Sequence, residues 1–322
     1  MKPSHLPDEL TSEFSVRAAR NLGVSKRRLR AADLQRPFRG ARIAIAPLSP
    51  PPRDAYERAL ERELTLIRAL GRRLVEGQFL SHRSAALLWG APMPYRRDPD
   101  LHVGVIEPQR TPRIAGVTGH NFALSRASTA DIDGFALTSP ALTFATSGRL
   151  PFADLVALGD YFARMYRPGY GRRNVGQPPL STITQLAEAV DLGRWVGIAR
   201  LRQALQFVRE DSWSPRESKT RLDLVLAGLP EPELNVDVFS DDGWFLACLD
   251  LAYREFKVGV EYQGVQHSER YAEDVERIEA LRECGWEIVQ VTKALSGRPQ
   301  VVVGRVAKAL NGRGWKAGSF TI

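Results

Sequence analysis

Between Arg53 and Gly77 apolar residues recur at helical spacing. Leu60, Leu64, Ile67, Leu70 and Leu74 fall on one face and predict a long amphipathic helix. Upstream, Ala18, Ala19 and Leu22, the turn at Gly23, and then Leu29 and Leu34 read as helix, turn, helix over Glu13–Leu34, with Ser25 capping the second helix. Residues 36–45 alternate into a short strand that suits a wing, and Leu48-Ser-Pro-Pro-Pro marks a boundary. Ser81–Trp89 predicts a short buried helix ended by Gly90 and Pro92. Leu101–Ile106 and Ala115–His120 alternate as strands, Leu137–Pro140 leads into a helix through Ala145, and Pro151–Arg164 is helical again. Gly169–Pro179, rich in Gly, Pro and Arg, reads as a loop before two helices around Ile183–Val190 and Ile198–Arg209.

The remainder changes character. Ser214-Pro-Arg-Glu217 opens a helix predicted to run to Gly228, with Leu222, Val225, Leu226 and Leu229 inward. A strand at Leu234–Ser240 is followed by the tight turn Asp241-Asp-Gly243. Two apolar runs, Trp244–Tyr253 and Val258–Tyr262, then flank a polar turn at Arg254–Lys257. Ser268–Cys284 carries Tyr271, Val275, Ile278 and Leu281 on one face and ends at Gly285; a strand at Trp286–Thr292 and a helix at Val301–Leu310 close the chain. The order α-β-β-β-α-β-α suits a mixed sheet flanked by helices.

The hairpin carries the sharpest chemical signal. If Tyr253 pairs with Val258, the ladder sets Asp250 opposite Glu261. Opposed residues have Cβ atoms about 4.5–5.5 Å apart, and like charges there are destabilising. A cation between them relieves the repulsion, and hard divalent ions prefer oxygen ligands. Gln263 projects from the same face as Glu261. That is the outline of a metal-dependent phosphodiesterase site.

Charge sharpens the division along the chain. Its net +8 is uneven: residues 1–42 hold ten Lys/Arg against four Asp/Glu, while residues 214–322 hold fourteen against seventeen. A basic front end points to a polyanion such as DNA, through Lys26, Arg27, Arg28 and Arg30 on the second helix and Arg39 after it. No stretch approaches the roughly 20 apolar residues of a membrane span. With only Cys248 and Cys284 and no apolar leader, the expected location is cytoplasmic. Neither zinc spacing of His and Cys nor a phosphate-binding Gly fingerprint is present.

Five ordered blocks also carry a resemblance. Ser-Pro-Arg-Glu-Ser (214–218), Ala-Gly-Leu-Pro-Glu-Pro (227–232), Leu-Asp-Leu-Ala-Tyr (249–253), Val-Glu-Tyr-Gln-Gly-Val-Gln-His (260–267) and Glu-Cys-Gly-Trp-Glu-Ile-Val (283–289) resemble domains related to the very-short-patch repair endonuclease, within the PD-(D/E)xK superfamily. The resemblance spans roughly residues 210–312 and implies a metal site of Glu217, Asp250 and Glu261, with His267 assisting proton transfer or contacting phosphate. Glu217 also completes a capping box with Ser214. The family places Asp where Gln263 stands, so the site has one negative charge fewer, and Lys257 can supply a cation from the turn. Asp274 and Arg277, three apart on the next helix, read as an ion pair or as an arginine near the scissile phosphate.

Residues 12–160, through Arg-Pro-Phe-Arg-Gly-Ala-Arg (36–42), Ser-His-Arg-Ser-Ala-Ala-Leu-Leu-Trp-Gly (81–90) and Leu-Thr-Ser-Pro-Ala-Leu-Thr (137–143), resemble antitoxins of abortive-infection type IV systems. That implies a winged helix, DNA binding and a possible toxin or defence-system partner. His82, Arg83, Trp89 and His120 read as packing residues.

The expected molecule is therefore α/β, α+β overall. It has a winged helix (1–50), a middle α+β module (51–205) and a restriction-endonuclease-like domain (206–322). Two functions compete, Mg2+-dependent DNA cleavage or nicking and DNA-binding regulation without catalysis; the oligomeric state stays open.

Overall fold

A computed structural model describes residues 5–45, 51–263, 271–292, 294–295 and 297–316, without the side chains of Gln263 and residues 271–273. Contacts divide the chain into two compact units. The first joins Met1–Arg149 to Gln185–Ile198, and the second joins Leu150–Thr184 to Ala199–Ile322.

The first unit begins with β1 (Glu13–Ser15), α1 (Val16–Asn21), a 3-10 turn at Arg28–Arg30, β2 (Leu34–Gln35) and β3 (Ala41–Ala44), in a sheet ordered β1-β3-β2. The expected second helix is thus reduced to one tight turn. Leu29 and Leu34 are five apart, which no helical face repeats. Ser25 Oγ accepts the Arg28 N–H at 3.1 Å, and the Arg28 guanidinium reaches Asp33 in a bidentate pair at 2.9 and 2.8 Å. Arg28 is therefore committed to holding the turn, whereas Lys26, Arg27, Arg30 and Arg39 are exposed. Phe14, Ala19, Leu29 and Leu34 form the small core beneath.

After α2 (Ala55–Gly71), a five-stranded sheet forms from β4 (Gln78–Leu80), β5 (Leu101–Ile106), β6 (Val117–Phe122), β7 (Thr129–Ile132) and β8 (Phe135–Thr138), ordered β6-β5-β4-β8-β7. Between β4 and β5 lies α3 (His82–Leu88), and α4 (Pro140–Ala145) follows β8, capped by Ser139 Oγ on the Leu142 N–H. Buried Arg83 is ion-paired with buried Glu63 at 2.7 Å, and Trp89 Nε1 donates to the Thr138 carbonyl at 2.9 Å, so both pack as the sequence suggests.

Next come α5 (Phe152–Ala163) of the second unit, α6 (Ile183–Asp191) of the first and α7 (Ile198–Phe207), almost all of it in the second. The unit continues through α8 (Pro215–Leu226), β9 (Glu233–Phe239), β10 (Phe245–Tyr253), β11 (Val258–Gln263), α9 (Tyr271–Glu283), β12 (Glu287–Thr292) and α10 (Pro299–Gly312). The expected order holds. The sheet runs β12-β11-β10-β9, antiparallel except for the parallel pair β11 and β12. Leu281 and Trp286 close one apolar cluster with Val236, Val238 and Leu249; Leu224, Val302 and Val306 close another with Leu251, Val258 and Val260.

The compact units cut across the three-part division read from the sequence, because α5 belongs with α8. Lys219 pairs with Asp154 at 2.5 Å, and fully buried Arg221 faces buried Asp160 at 3.4 Å and Glu231 at 2.8 Å. Among the described residues no helix is long and apolar enough to cross a membrane.

Candidate functional site

Three carboxylates of the second unit approach one another from different elements. Pro215 at the first position and Ser214 at the cap start α8, and Ser214 Oγ accepts the Glu217 N–H at 3.2 Å. Glu217 returns the favour, its Oε2 accepting the Trp213 N–H at 2.9 Å and the Asn235 amide at 2.8 Å. The carboxylate is therefore buried yet doubly anchored.

The hairpin has the expected register, with Tyr253 opposite Val258 and Leu251 opposite Val260. Pairing stops there. Asp250 Oδ2 takes the Tyr262 N–H at 2.8 Å, doing the work of a backbone carbonyl where the strands part. Continuing the register sets Asp250 across from Glu261, which is buried. Arg277 of α9 donates Nη1 to Glu261 Oε1 at 2.6 Å and Nη2 to Asp274 at 3.3 Å. The guanidinium of Arg216 lies over the Tyr262 ring, 4.2 Å from its centroid.

Electrostatics tie the group together. Burial pushes the carboxyl of Glu217 above its usual range, against hydrogen bonds from Trp213, Ser214 and Asn235, and the nearby charge of Asp250 adds to the rise. Burial likewise raises Asp250 and Glu261; Asp250 repels Glu261, while Arg277 favours the ionised form of both. Burial opposes the charge on Arg277, but Glu261 and Asp274 together raise its pKa.

All the donors here are carboxylate oxygens, which suit a hard divalent cation. The spacing is wider than that of an assembled site: among the described residues, no three carboxylates bring one oxygen each within 4.8 Å of one another. One oxygen of Glu261 is held by Arg277 and one of Asp250 by Tyr262.

The other expected residues are placed as follows. The Lys257 ammonium donates to the Cys284 carbonyl at 3.0 Å, and the cation seen paired with Glu261 is Arg277. The backbone of Gln263 pairs with Thr292 and its side chain lies outside the described residues, as does His267. In the first unit, Arg39 lines a cleft with Arg17, Arg20, Arg72 and Arg73, with no acidic residue on its walls. Sequence reading missed four of these five, since Arg72 and Arg73 follow α2 and reach α1 only through the fold. It also missed His102, which meets His82 and His120.

No known family model matches the chain. Two curated proteins of Mycobacterium tuberculosis, the uncharacterized protein MT2308 of strain CDC 1551 and the uncharacterized protein Rv2248 of strain H37Rv, are each 30% identical to it over 119 residues. That region is 36% of this chain and 44% of each relative, so the match spans less than half the length of those proteins.

Proposed function

We propose that the chain hydrolyses DNA phosphodiester bonds at Glu217, Asp250 and Glu261, with Mg2+ or Mn2+ as cofactor, and grips the DNA backbone with the arginines of its first unit. The observation that carries this reading is the convergence of three half-buried to buried carboxylates on a hairpin fork and a helix start, beside Arg277. Such a cluster is costly to keep charged without a cation.

The ion would be held by Asp250 and Glu261, with Glu217 completing the set. When bound, it lowers the pKa of a water and neutralises charge developing on the phosphate. The protein's own residues do the rest. Asp250 fixes the fork through the Tyr262 N–H, and the Trp213 N–H and the Asn235 amide fix the Glu217 carboxylate. An incoming phosphate competes with Glu261 for Arg277, whose planar fork matches phosphate oxygens. Transfer of Arg277 to the substrate frees the Glu261 oxygen it now holds, so DNA binding and assembly of the metal site are coupled. Lys26, Arg27, Arg30 and Arg39 remain candidates for DNA contact, joined by Arg17, Arg20, Arg72 and Arg73. A cytoplasmic location accords with free Cys248 and Cys284.

A second reading, DNA-binding regulation without cleavage, draws on the same Arg277–Glu261 pair, which neutralises Glu261 with no ion present. Incubating the full chain with supercoiled plasmid and Mg2+ or Mn2+, beside Asp250→Asn and Glu261→Gln, separates the two. Metal-dependent nicking lost in both variants is the expected result. Cleavage that survives both substitutions removes the assigned site, and tight salt-dependent DNA binding without cleavage supports the regulator.

A further inference from the structure

Three imidazoles of the first unit meet although 20 and 18 residues separate them along the chain. His82 begins α3, His102 lies on β5 and His120 on β6. In the parallel pair β5–β6, His102 stands opposite Thr118 and Gly104 opposite His120, which puts the two histidines on one face, one step apart. Their rings come together, with His102 Nδ1 3.0 Å from His120 Nε2. The His82 ring stacks on His120 at 3.7 Å between centroids, and its Nδ1 lies 3.1 Å from the buried Ser81 hydroxyl, leaving Nε2 for another partner. Phe122 covers the cluster edge-on to His82, on an apolar side shared with Phe79.

We propose that His82, His102 and His120 bind a borderline divalent transition metal, with Zn2+ the favoured ion. One ring nitrogen from each lies within 4.8 Å of the other two, and among the described residues this is the one group of three potential ligands so arranged. With Zn–N bonds of about 2.0–2.1 Å, ligand nitrogens at the corners of a tetrahedron stand about 3.3 Å apart. Binding opens the 3.0 Å pair by a few tenths of an ångström and turns the His82 and His120 rings, which stack at an interplanar angle of 21°, so that their in-plane lone pairs meet at the ion. Imidazole nitrogen suits zinc, cobalt, nickel and copper, and three protein ligands leave a fourth position for water or another donor. Ser81 acts as the outer partner that orients a ligand ring. Burial, then mutual repulsion, lowers the pKa of His82 to about 2 and that of His102 to about 4, so neither ring carries a positive charge that would repel an ion at neutral pH. Nearby charges are mixed, with Asp100 attracting a cation while Arg83, Arg96 and Arg149 oppose it, though Arg83 is spent on Glu63.

The site belongs to the first unit and does not depend on the proposed nuclease centre. The test is titration of chelator-treated full-length protein with Co2+, followed by displacement with Zn2+. We expect one equivalent of Co2+ to give the visible absorption of tetrahedral coordination, with Zn2+ displacing it at an affinity tighter than about 1 μM. His82→Asn suits the fold because φ at this position is +51° and Asn tolerates the left-handed region. It is expected to weaken binding by more than about 100-fold, at least what loss of an orienting partner costs. His120→Asn should do the same, with circular dichroism confirming that both variants fold. Asp250→Asn/Glu261→Gln, His5→Asn and His267→Asn should leave the signal unchanged. Absence of a tetrahedral signal, or a signal that persists in His82→Asn and His120→Asn, overturns the proposal; the cluster is then a hydrogen-bonded stack of neutral rings.

Discussion

Glu217 serves the helix and the candidate site at once, and substitutions can separate the two roles. Ser214→Ala removes the acceptor of the Glu217 N–H and should cost about 1 kcal/mol in urea unfolding, with metal-dependent cleavage retained. Glu217→Gln keeps an oxygen for the Trp213 N–H, so stability should change by less than about 1 kcal/mol while cleavage is lost. Asp160 gives the pH prediction. Burial raises its carboxyl from 3.8 to about 6, against the pull of Arg221. The folded state therefore holds this proton more tightly than the unfolded chain. The stabilisation is complete below pH 3.8 and disappears as pH rises through 6. Asp160→Asn lacks that titration, so the stability difference between wild type and variant should grow in favour of wild type by about 2 kcal/mol as pH falls from 6 to 4. Unfolding curves at several pH values check this; a constant difference would mean that Arg221 holds Asp160 ionised throughout.

Among elements, those with local signals were legible. The α8 start was visible as Ser, Pro and Glu at cap, first and third positions, and the β10–β11 register followed from a short turn that admits one pairing. The β7–β8 hairpin had a readable signal that went unused: Asp133-Gly134, both at positive φ, is a two-residue turn between alternating strands. The histidine cluster had none, because no turn fixes the register of a parallel pair such as β5 and β6. Gly104 of β5 shows how tightly that region is built. A Cβ there would lie 2.2 Å from the Phe79 ring and 2.9 Å from that of Phe122. Gly104→Ala should therefore destabilise the first unit by about 1–3 kcal/mol in thermal or urea unfolding, through overpacking.

At the scale of the whole molecule, the uneven charge visible in the sequence reappears as a surface, but in altered form. The turn at Arg28–Arg30 spends Arg28 on Asp33, while the cleft gathers arginines from either end of the first unit's opening half. If that cleft tracks a phosphate backbone, replacing Arg17, Arg20 and Arg39 with Ala should weaken duplex binding for all sequences alike. The slope of log affinity against log salt should then fall by about 0.9 for each phosphate left without its arginine, up to about 2.7 in total. Fluorescence anisotropy at several salt concentrations measures this, and an unchanged slope would place the DNA elsewhere.

The fork at Asp250 has a further consequence. Because its carboxylate stands in for a main-chain acceptor, the side chain behaves as a spacer whose length sets how far β10 and β11 part beside Glu261. Asp250→Glu preserves the charge and the accepting carboxylate and adds a single methylene, so it alters the gauge of the fork. A function that tolerates Asp250→Glu depends on charge alone at this position, whereas one abolished by it depends on the width that an aspartate holds open.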